Sequence, residues 1–394
     1  MNRKRIVFLV VSVTLMVTLL AGGVFGQALS KDNIYRHLSI FTEIFSLVRS
    51  SYVEEVDSDT LLAGAFDGLT DAIDEFSYYV PPAQMDSYRD YTEPEATGLG
   101  LVVSRRFGYG FVIAPVEGSP AAAGGIEPGD FLERIDGKPT QEMALWQIRS
   151  ALHGEAGSKA ELVILRGSMN KRETVTLERK AYLAPKTTLT AMDGVGYIQI
   201  ASFDDATPGD LAAALGEASR NGHRQLIIDV RGNAAGSIPA AIESADLLLG
   251  NGTISSLKGR RVEAKTWFAD PKTAWNGELL VLADTSSASA AEVFAAAVRD
   301  NEAGKLVGTR TYGKAIEQKL VRLESGGSLM VTVADYSTPK DQKIRGEGLR
   351  PDVTVDLTPL AIRSEEEAER EVPDLILEKA LSILKSGEAQ KKAA

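Results

Sequence analysis

Three segments constrain the fold more than any other part of the chain. VGYIQIASF (Val195 to Phe203), QLIIDVRG (Gln225 to Gly232) and ELLVLAD (Glu278 to Asp284) are short and apolar, and each precedes a stretch with helical patterning. A strand that is apolar without alternation is buried on both faces, and strands that alternate with helices pair in parallel through crossovers. After the first strand, Thr207 is expected to cap a helix with Pro208 at its first position, Asp210 at its third, and Leu211, Leu215 and Ala218 facing inward. Helices are also expected over Ile238 to Leu249 and Ala290 to Arg299. The βαβαβα order specifies a layered α/β core with a mainly parallel sheet over residues 181–360, to which KLVGT, SLMVTVADYS and PDVTV add β-structure.

The rest of the chain divides by pattern. Residues 95–180 hold four strand candidates bounded by turn residues: TGLGLVV, GFVIAPV, DFLERIDG and ELVILRG. Between them lie a short helix in SPAAAGGIEPGD and a helix over Thr140 to Leu152 with Thr140 as its cap, which makes a small β-rich domain. A strand–helix groove beside a glycine loop can accept an extended peptide as an added strand. Residues 29–94 are helical. Ile34, Leu38, Phe41, Phe45, Val48 and Tyr52 form one stripe, and a second helix, capped by Ser58, carries Leu62, Phe66, Leu69 and Ile73 before FSYYVPP ends it. His37 beside the first stripe reads as structural. Residues 361–394 are a charged linker, SEEEAERE, and a C-terminal helix with Leu377, Leu381 and Leu384 on one face.

MNRKR followed by the uncharged run Ile6 to Gly26 reads as a signal peptide or membrane anchor within residues 1–28, with cleavage fitting after Gly26 or Ala28. The remainder is then exported, to the periplasm or cell envelope, with residues 6–26 as an inner-membrane anchor if they are retained. Composition narrows the chemistry. The chain has 394 residues and no cysteine, which excludes disulfides, thiolate metal sites, a Cys nucleophile and a lipid-attachment cysteine. Its 54 acidic against 43 basic residues give a net charge of −11, which argues against nucleic acid as a partner. Only three histidines are present, so a His-based metal cage is not expected, and neither His153 nor His223 sits at a strand end. No cofactor or metal is expected.

In parallel cores reactive groups gather where a strand ends and a helix begins. RGNAAGS (Arg231 to Ser237) could aim backbone N–H groups at an oxyanion, and TSSASAAE (Thr285 to Glu292) places hydroxyls at a helix start. Ser289 with Glu292 three residues on is equally a capping box that needs no catalysis, and the two readings stand side by side. GTRTYGKAIEQ (Gly308 to Gln318) imitates a phosphate loop, but Ala315 stands where a Ser or Thr must bind magnesium. It offers Lys314 instead. A lysine activates a serine only when neutral, so its pKa must fall from roughly 10.4 toward ~7, at about 4 to 5 kcal/mol of desolvation. An apolar crevice could supply this, giving a Ser289–Lys314 arrangement oriented by Gln318 without histidine.

From Phe41 to Val355 the chain resembles the carboxyl-terminal processing, or tail-specific, proteases. The resemblance is carried in order by TGLGL, GSPAAAGGIEPGDFLERIDG, VGYIQIASF, IDVRGNAAG, SSASAAEVFAAAVRD, GTRTYGKAIEQ and YSTPKDQKIRGEGLRPD. It implies a multidomain α/β protein: an N-terminal helical segment, a PDZ domain over residues 95–180 and a serine protease core. It implies Ser289 as nucleophile, Lys314 as base, Gln318 as the residue that positions the lysine, and Ala290 and Gly236 N–H groups as the oxyanion hole. Thr97, Gly98, Leu99, Gly100 and Leu101 would bind protein substrates with nonpolar C-termini, while a homo-oligomer or an activating partner is left open. The chain departs from the family pattern at Asn233-Ala234-Ala235-Gly236, where N-P-G-G is usual, at Ala291, the last serine of S-A-S-A-S-E, and at Ala315, usually glycine. Those departures raise the alternative of a degenerate member that acts as a PDZ peptide-binding module.

Overall fold

The computed structural model describes residues 13, 14, 16, 34–92, 97–167, 171–357 and 373–387. It divides into two compact units, Met1–Phe66 and Asp67–Ala394. Nearly all of the expected signal segment, and the SEEEAERE run, lie outside the described residues. Among the described residues no helix is long and apolar enough to cross a membrane.

The first unit contains helix α1 (residues 34–51) and the opening turns of α2 (Ser58–Asp71). The cap of α2 differs from expectation. The Asp57 carboxylate accepts Thr60 N–H at 2.9 Å, one residue earlier than Ser58, because a carboxylate one position before the first turn reaches the free amides that a hydroxyl inside the turn cannot. On α1, Phe45 and Val48 are half-buried while Ile34, Leu38 and Phe41 are exposed, as is Tyr52 just past its end.

The second unit is built on two six-stranded sheets and one of five strands. Helix α2 ends at Asp71, so the expected Ile73 and FSYYVPP both lie beyond it. Within FSYYVPP, Tyr78–Val80 is strand β1, paired antiparallel with β18 (Ser328–Ser337). After α3 (Met85–Thr92) comes a two-stranded ladder of β2 (Thr97–Gly98) with β9 (Lys180–Ala181). The β-rich region is an antiparallel sheet in the order β3 (Leu101–Arg106), β4 (Tyr109–Pro115), β5 (Phe131–Ile135), β7 (Lys159–Arg166), β8 (Lys171–Glu178), with β6 (Lys138–Pro139) on β5. β8 was not anticipated, because KRETVTLE is mostly polar and only Leu177 is buried. The short helix expected in SPAAAGGIEPGD is α4 (Pro120–Ala123), capped by Ser119. Thr140 is not a cap: its hydroxyl donates to Leu132 O and accepts from Gly110 N–H. Helix α5 (Leu145–Leu152) begins later, at Ala144, whose N–H donates to the Gln147 side chain at 2.8 Å.

The α/β core follows the strand–helix alternation. After the antiparallel edge strand β10 (Leu189–Met192), β11 (Val195–Gln199), β12 (Gln225–Asp229), β15 (Glu278–Ala283), β16 (Lys305–Gly308) and β19 (Val353–Thr354) run parallel. Alternation of side chains sends Leu226 and Ile228 into one core with α6 (Thr207–Arg220), α7 (Ile238–Asp246) and α8 (Ala290–Asp300). Ile227, Leu280 and Leu282 face the opposite core, closed by α9 (Leu375–Ser386). The side chain opening α6 belongs to Asp204, which accepts the Ala206 and Thr207 N–H groups, whereas Thr207 is buried inside the turn. On α9 the most buried residues are Ile376, Ala380, Ile383 and Leu384, so the face is rotated from the Leu377–Leu381 line. A second antiparallel sheet joins β1, β18, β13 (Thr253–Gly259) and β14 (Lys265–Phe268), with β17 (Ile316–Arg322) on the far side of β18.

Candidate active site

Ser289 sits between β15 and α8 with φ 57° and ψ −110°. A β-carbon in this region is strained, and such strain is held only when neighbours impose it. The residue types of a capping box are present, and Glu292 Oε2 accepts Ser289 N–H at 3.0 Å. No hydrogen bond from the Ser289 hydroxyl to the helix end accompanies that backbone contact.

Glu292 does more than cap. Its carboxylate, fully buried, also accepts Thr311 Oγ1 at 2.5 Å, Gly313 N–H at 2.7 Å and Lys314 N–H at 2.7 Å. One oxygen therefore holds the backbones of both Ser289 and Lys314. Burial pushes the Glu292 carboxyl up, against the pull of these four donors. Tyr312 N–H donates to Ser287 O at 3.0 Å, a further stitch between the two loops. Sequence reading placed Glu292 only as a helix-capping residue; the S-x-x-E spacing was the available signal, but the 311–314 donors are tertiary.

Lys314 is half-buried, and loss of hydration around its amine pushes its pKa down to about 7, helped by the positive charge of Arg149 and opposed by Glu292. Its Nζ lies 5.1 Å from the centre of the Phe76 ring. Gln318 follows on β17 and donates to Phe76 O at 3.1 Å, so its link to the lysine runs through Phe76 rather than through a direct hydrogen bond. Neither Phe76 nor Arg149 is a candidate from the sequence, because they come from distant segments, the turn before β1 and helix α5, whose local patterns carry no sign of a site.

The third loop, Arg231–Gly236, is sewn to the second. Ala288 N–H donates to Asn233 O at 2.9 Å, Ser287 Oγ to Val230 O at 2.8 Å, and Gly232 N–H to Asp284 at 3.3 Å. Gly236 has φ +113°, and a β-carbon there would lie 2.3 Å from Phe203 O. The left-handed positions of this loop are Gly232 and Gly236, both still glycine, so Ala234 and Ala235 occupy conformations open to any residue. Ala291 and Ala315 likewise lack a positive φ. Ala290 is the first residue of α8, where leading N–H groups have no intrahelical partner. The departures from the family pattern therefore remove no required glycine.

The β-rich domain reaches these loops. The apolar cluster that fills its sheet includes Ala234, Ala288 and Ile316. Tyr312 OH meets Ser104 Oγ at 2.8 Å and donates to Glu75, and Arg106 lies over the Phe111 and Tyr312 rings at 4.4 and 4.7 Å. In the 97–101 loop Leu99 is fully buried and its N–H donates to Leu152 O at 3.0 Å. Thr97 Oγ1 donates to Gly154 O at 2.8 Å, and Gly98 bridges His153. Gly100 has φ +73° with Ser119 pressed against it, and Leu101 opens β3. Across the groove, Arg149 of α5 donates to Val103 O on β3 at 3.3 Å. Among the described residues no group of three His, Asp or Glu could hold a metal ion.

The profile of Peptidase family S41 matches residues 194–355, and that of the PDZ domain matches residues 111–166. The solved structure of the photosystem II D1 C-terminal processing protease superposes with a TM-score of 0.67 at 27% identity, over 80% of this chain and 92% of that one. The chain is an S41 peptidase with a PDZ domain, of the C-terminal processing protease family. A carboxy-terminal-processing protease of Bartonella bacilliformis is 29% identical over 364 residues, 90% of this peptidase and 83% of the relative. A protein named probable CtpA-like serine protease, from Staphylococcus aureus, is 29% identical over 350 residues, 87% of this chain and 70% of the other.

Proposed function

We propose that this peptidase cleaves by a Ser289–Lys314 dyad and receives protein C-termini, nonpolar at their ends, through its PDZ domain. The observation that carries the reading is a half-buried lysine, depressed toward neutrality by loss of hydration, whose backbone N–H sits on the same carboxylate that fixes the strained nucleophile loop. Neutral Lys314 Nζ takes the Ser289 Oγ proton as Oγ bonds to the scissile carbonyl carbon. The Ala290 and Gly236 N–H groups receive the oxyanion. Collapse breaks the C–N bond, with Lys314 returning the proton to the leaving amine. Lys314 next takes a proton from water, whose hydroxide attacks the acyl ester, and Ser289 leaves with that proton. Gln318 holds the Phe76 wall in place and so positions the lysine.

Export, and retention in the envelope membrane by residues 6–26, belong to the same proposal and rest on the basic-apolar order of the N-terminus. The test incubates the full chain, kept soluble in mild detergent, with an unfolded reporter ending in a nonpolar tail, beside Ser289→Ala and Lys314→Ala, and reads products by mass spectrometry. Cleavage by the parent and by neither variant is the expected result. Undiminished cleavage by Lys314→Ala would refute the dyad, and a tail that binds but stays whole from pH 7 to about 10 would favour a binding module.

A further inference from the structure

The loop assigned to the oxyanion starts at Arg231, and the Arg231 guanidinium is held between two carboxylates. Asp229, at the end of β12 and 2% exposed, meets Nε at 3.0 and 2.9 Å and Nη2 at 2.6 Å, and also accepts Arg231 N–H at 2.9 Å. Asp229 is shared, since Tyr197 OH donates to it at 2.7 Å. The other carboxylate comes from 143 residues further along the chain. Asp374, the N-cap of α9, receives Nη1 on Oδ1 at 2.6 Å and Nη2 on Oδ2 at 2.8 Å. A two-pronged pair of this kind fixes the plane of a guanidinium as well as its charge. At its far end the same helix is tied down elsewhere, by Gln225 to Leu384 O at 2.8 Å and Lys385 to Asp193 at 2.9 Å.

We propose that Asp374 is a positioning residue for the peptidase reaction: through Arg231 the C-terminal helix braces the Arg231–Gly236 loop and keeps the Gly236 N–H aimed at the oxyanion. The inference rests on the reading of Gly236 as an oxyanion donor. A loop with left-handed turns at Gly232 and Gly236 loses more backbone freedom on ordering than one without glycine, so its geometry depends on anchors at both ends. Gly236 and Ser237 are pinned to Phe203 at one end, Gly232 and Asn233 are held to the 284–288 segment, and Arg231 is the anchor at the other end. Asp229, fixed at the end of β12 in the central sheet, neutralises Arg231 from one side. Asp374 ties the loop to a separate element.

Asp374→Asn separates this role from helix capping, since Asn caps as well as Asp but carries no charge. In the full chain, Asp374→Asn is expected to lower kcat on the tailed reporter about tenfold, a fraction of the 10²–10³ lost when an oxyanion donor is deleted. Fluorophosphonate labelling of Ser289 should slow by a similar factor, while KM and the melting temperature stay at parent values and Asp374→Glu recovers most of the rate. Parent-like kcat and labelling in Asp374→Asn would overturn the proposal. So would a loss confined to KM, or one that tracks a lower melting temperature and is not recovered by Asp374→Glu. Gly236→Ala separates the two levels. If it remains folded and labels at the parent rate, the oxyanion reading itself fails; if it labels slowly while Asp374→Asn does not, only the brace is refuted.

Discussion

Replacing Lys314 with methionine keeps the length of the side chain and removes its proton. The folded chain holds a proton on Lys314 only below about 7, whereas the unfolded chain holds one up to the ordinary lysine value of 10.5. Between these values the unfolded state binds more protons, so stability must rise with pH across this window, at up to about 1.4 kcal/mol per pH unit. The whole interval corresponds to roughly 4 to 5 kcal/mol of stability withheld at pH 7 by the buried amine. Lys314→Met lacks this slope, and every other titrating group is common to both proteins. The variant should therefore be the more stable of the two at pH 7, by a few kcal/mol, with the gap closing as pH approaches 10. Urea unfolding of both proteins at pH 7, 8, 9 and 10 measures it. Below pH 7 the same titration should make kcat/KM of the parent fall about tenfold per pH unit. A stability gap that stays constant between pH 7 and 10 would mean that Lys314 titrates like a surface lysine, and the argument for a neutral base would collapse.

Two further outcomes follow from the backbone. Ser289→Gly should abolish turnover yet raise stability by about 1 kcal/mol, because glycine relieves the strained φ of 57° and no cap hydrogen bond is lost; calorimetry beside an activity assay checks both, and a less stable variant would contradict the strain. Gly236→Ala should cost at least about 2 kcal/mol and the activity, since its β-carbon would collide with Phe203 O; denaturant melts showing an unperturbed protein would refute the close approach.

Much of the fold was legible because its signals are local. Unbroken apolar strands such as Gln225–Asp229 can be buried only on both faces, and their alternation with helices leaves a parallel sheet as the arrangement that buries them. Ser58 and Thr207 give way as caps to Asp57 and Asp204 because neighbouring Asp, Ser and Thr residues can each offer an oxygen and packing selects among them, while the Thr140 hydroxyl is taken by Leu132 O across the sheet. Polar β8 escaped notice since its partner is β7, and pairing is not encoded in its own pattern.

The sequence by itself determined which residue types stand at the strand–helix junctions: a serine opening α8, a lysine before β17, and glycines at the two left-handed positions of the 231–236 loop. Tertiary structure decided what those residues can do. Glu292 joins loops whose donors are up to 22 residues away, Phe76 and Arg149 reach Lys314 from segments more than 160 positions upstream, and Asp374 meets Arg231 across 143 residues. The reason is physical: a pKa or an aimed N–H depends on everything within a few ångströms, and nearness in space is set by sheet register and packing, to which spacing along the chain is blind.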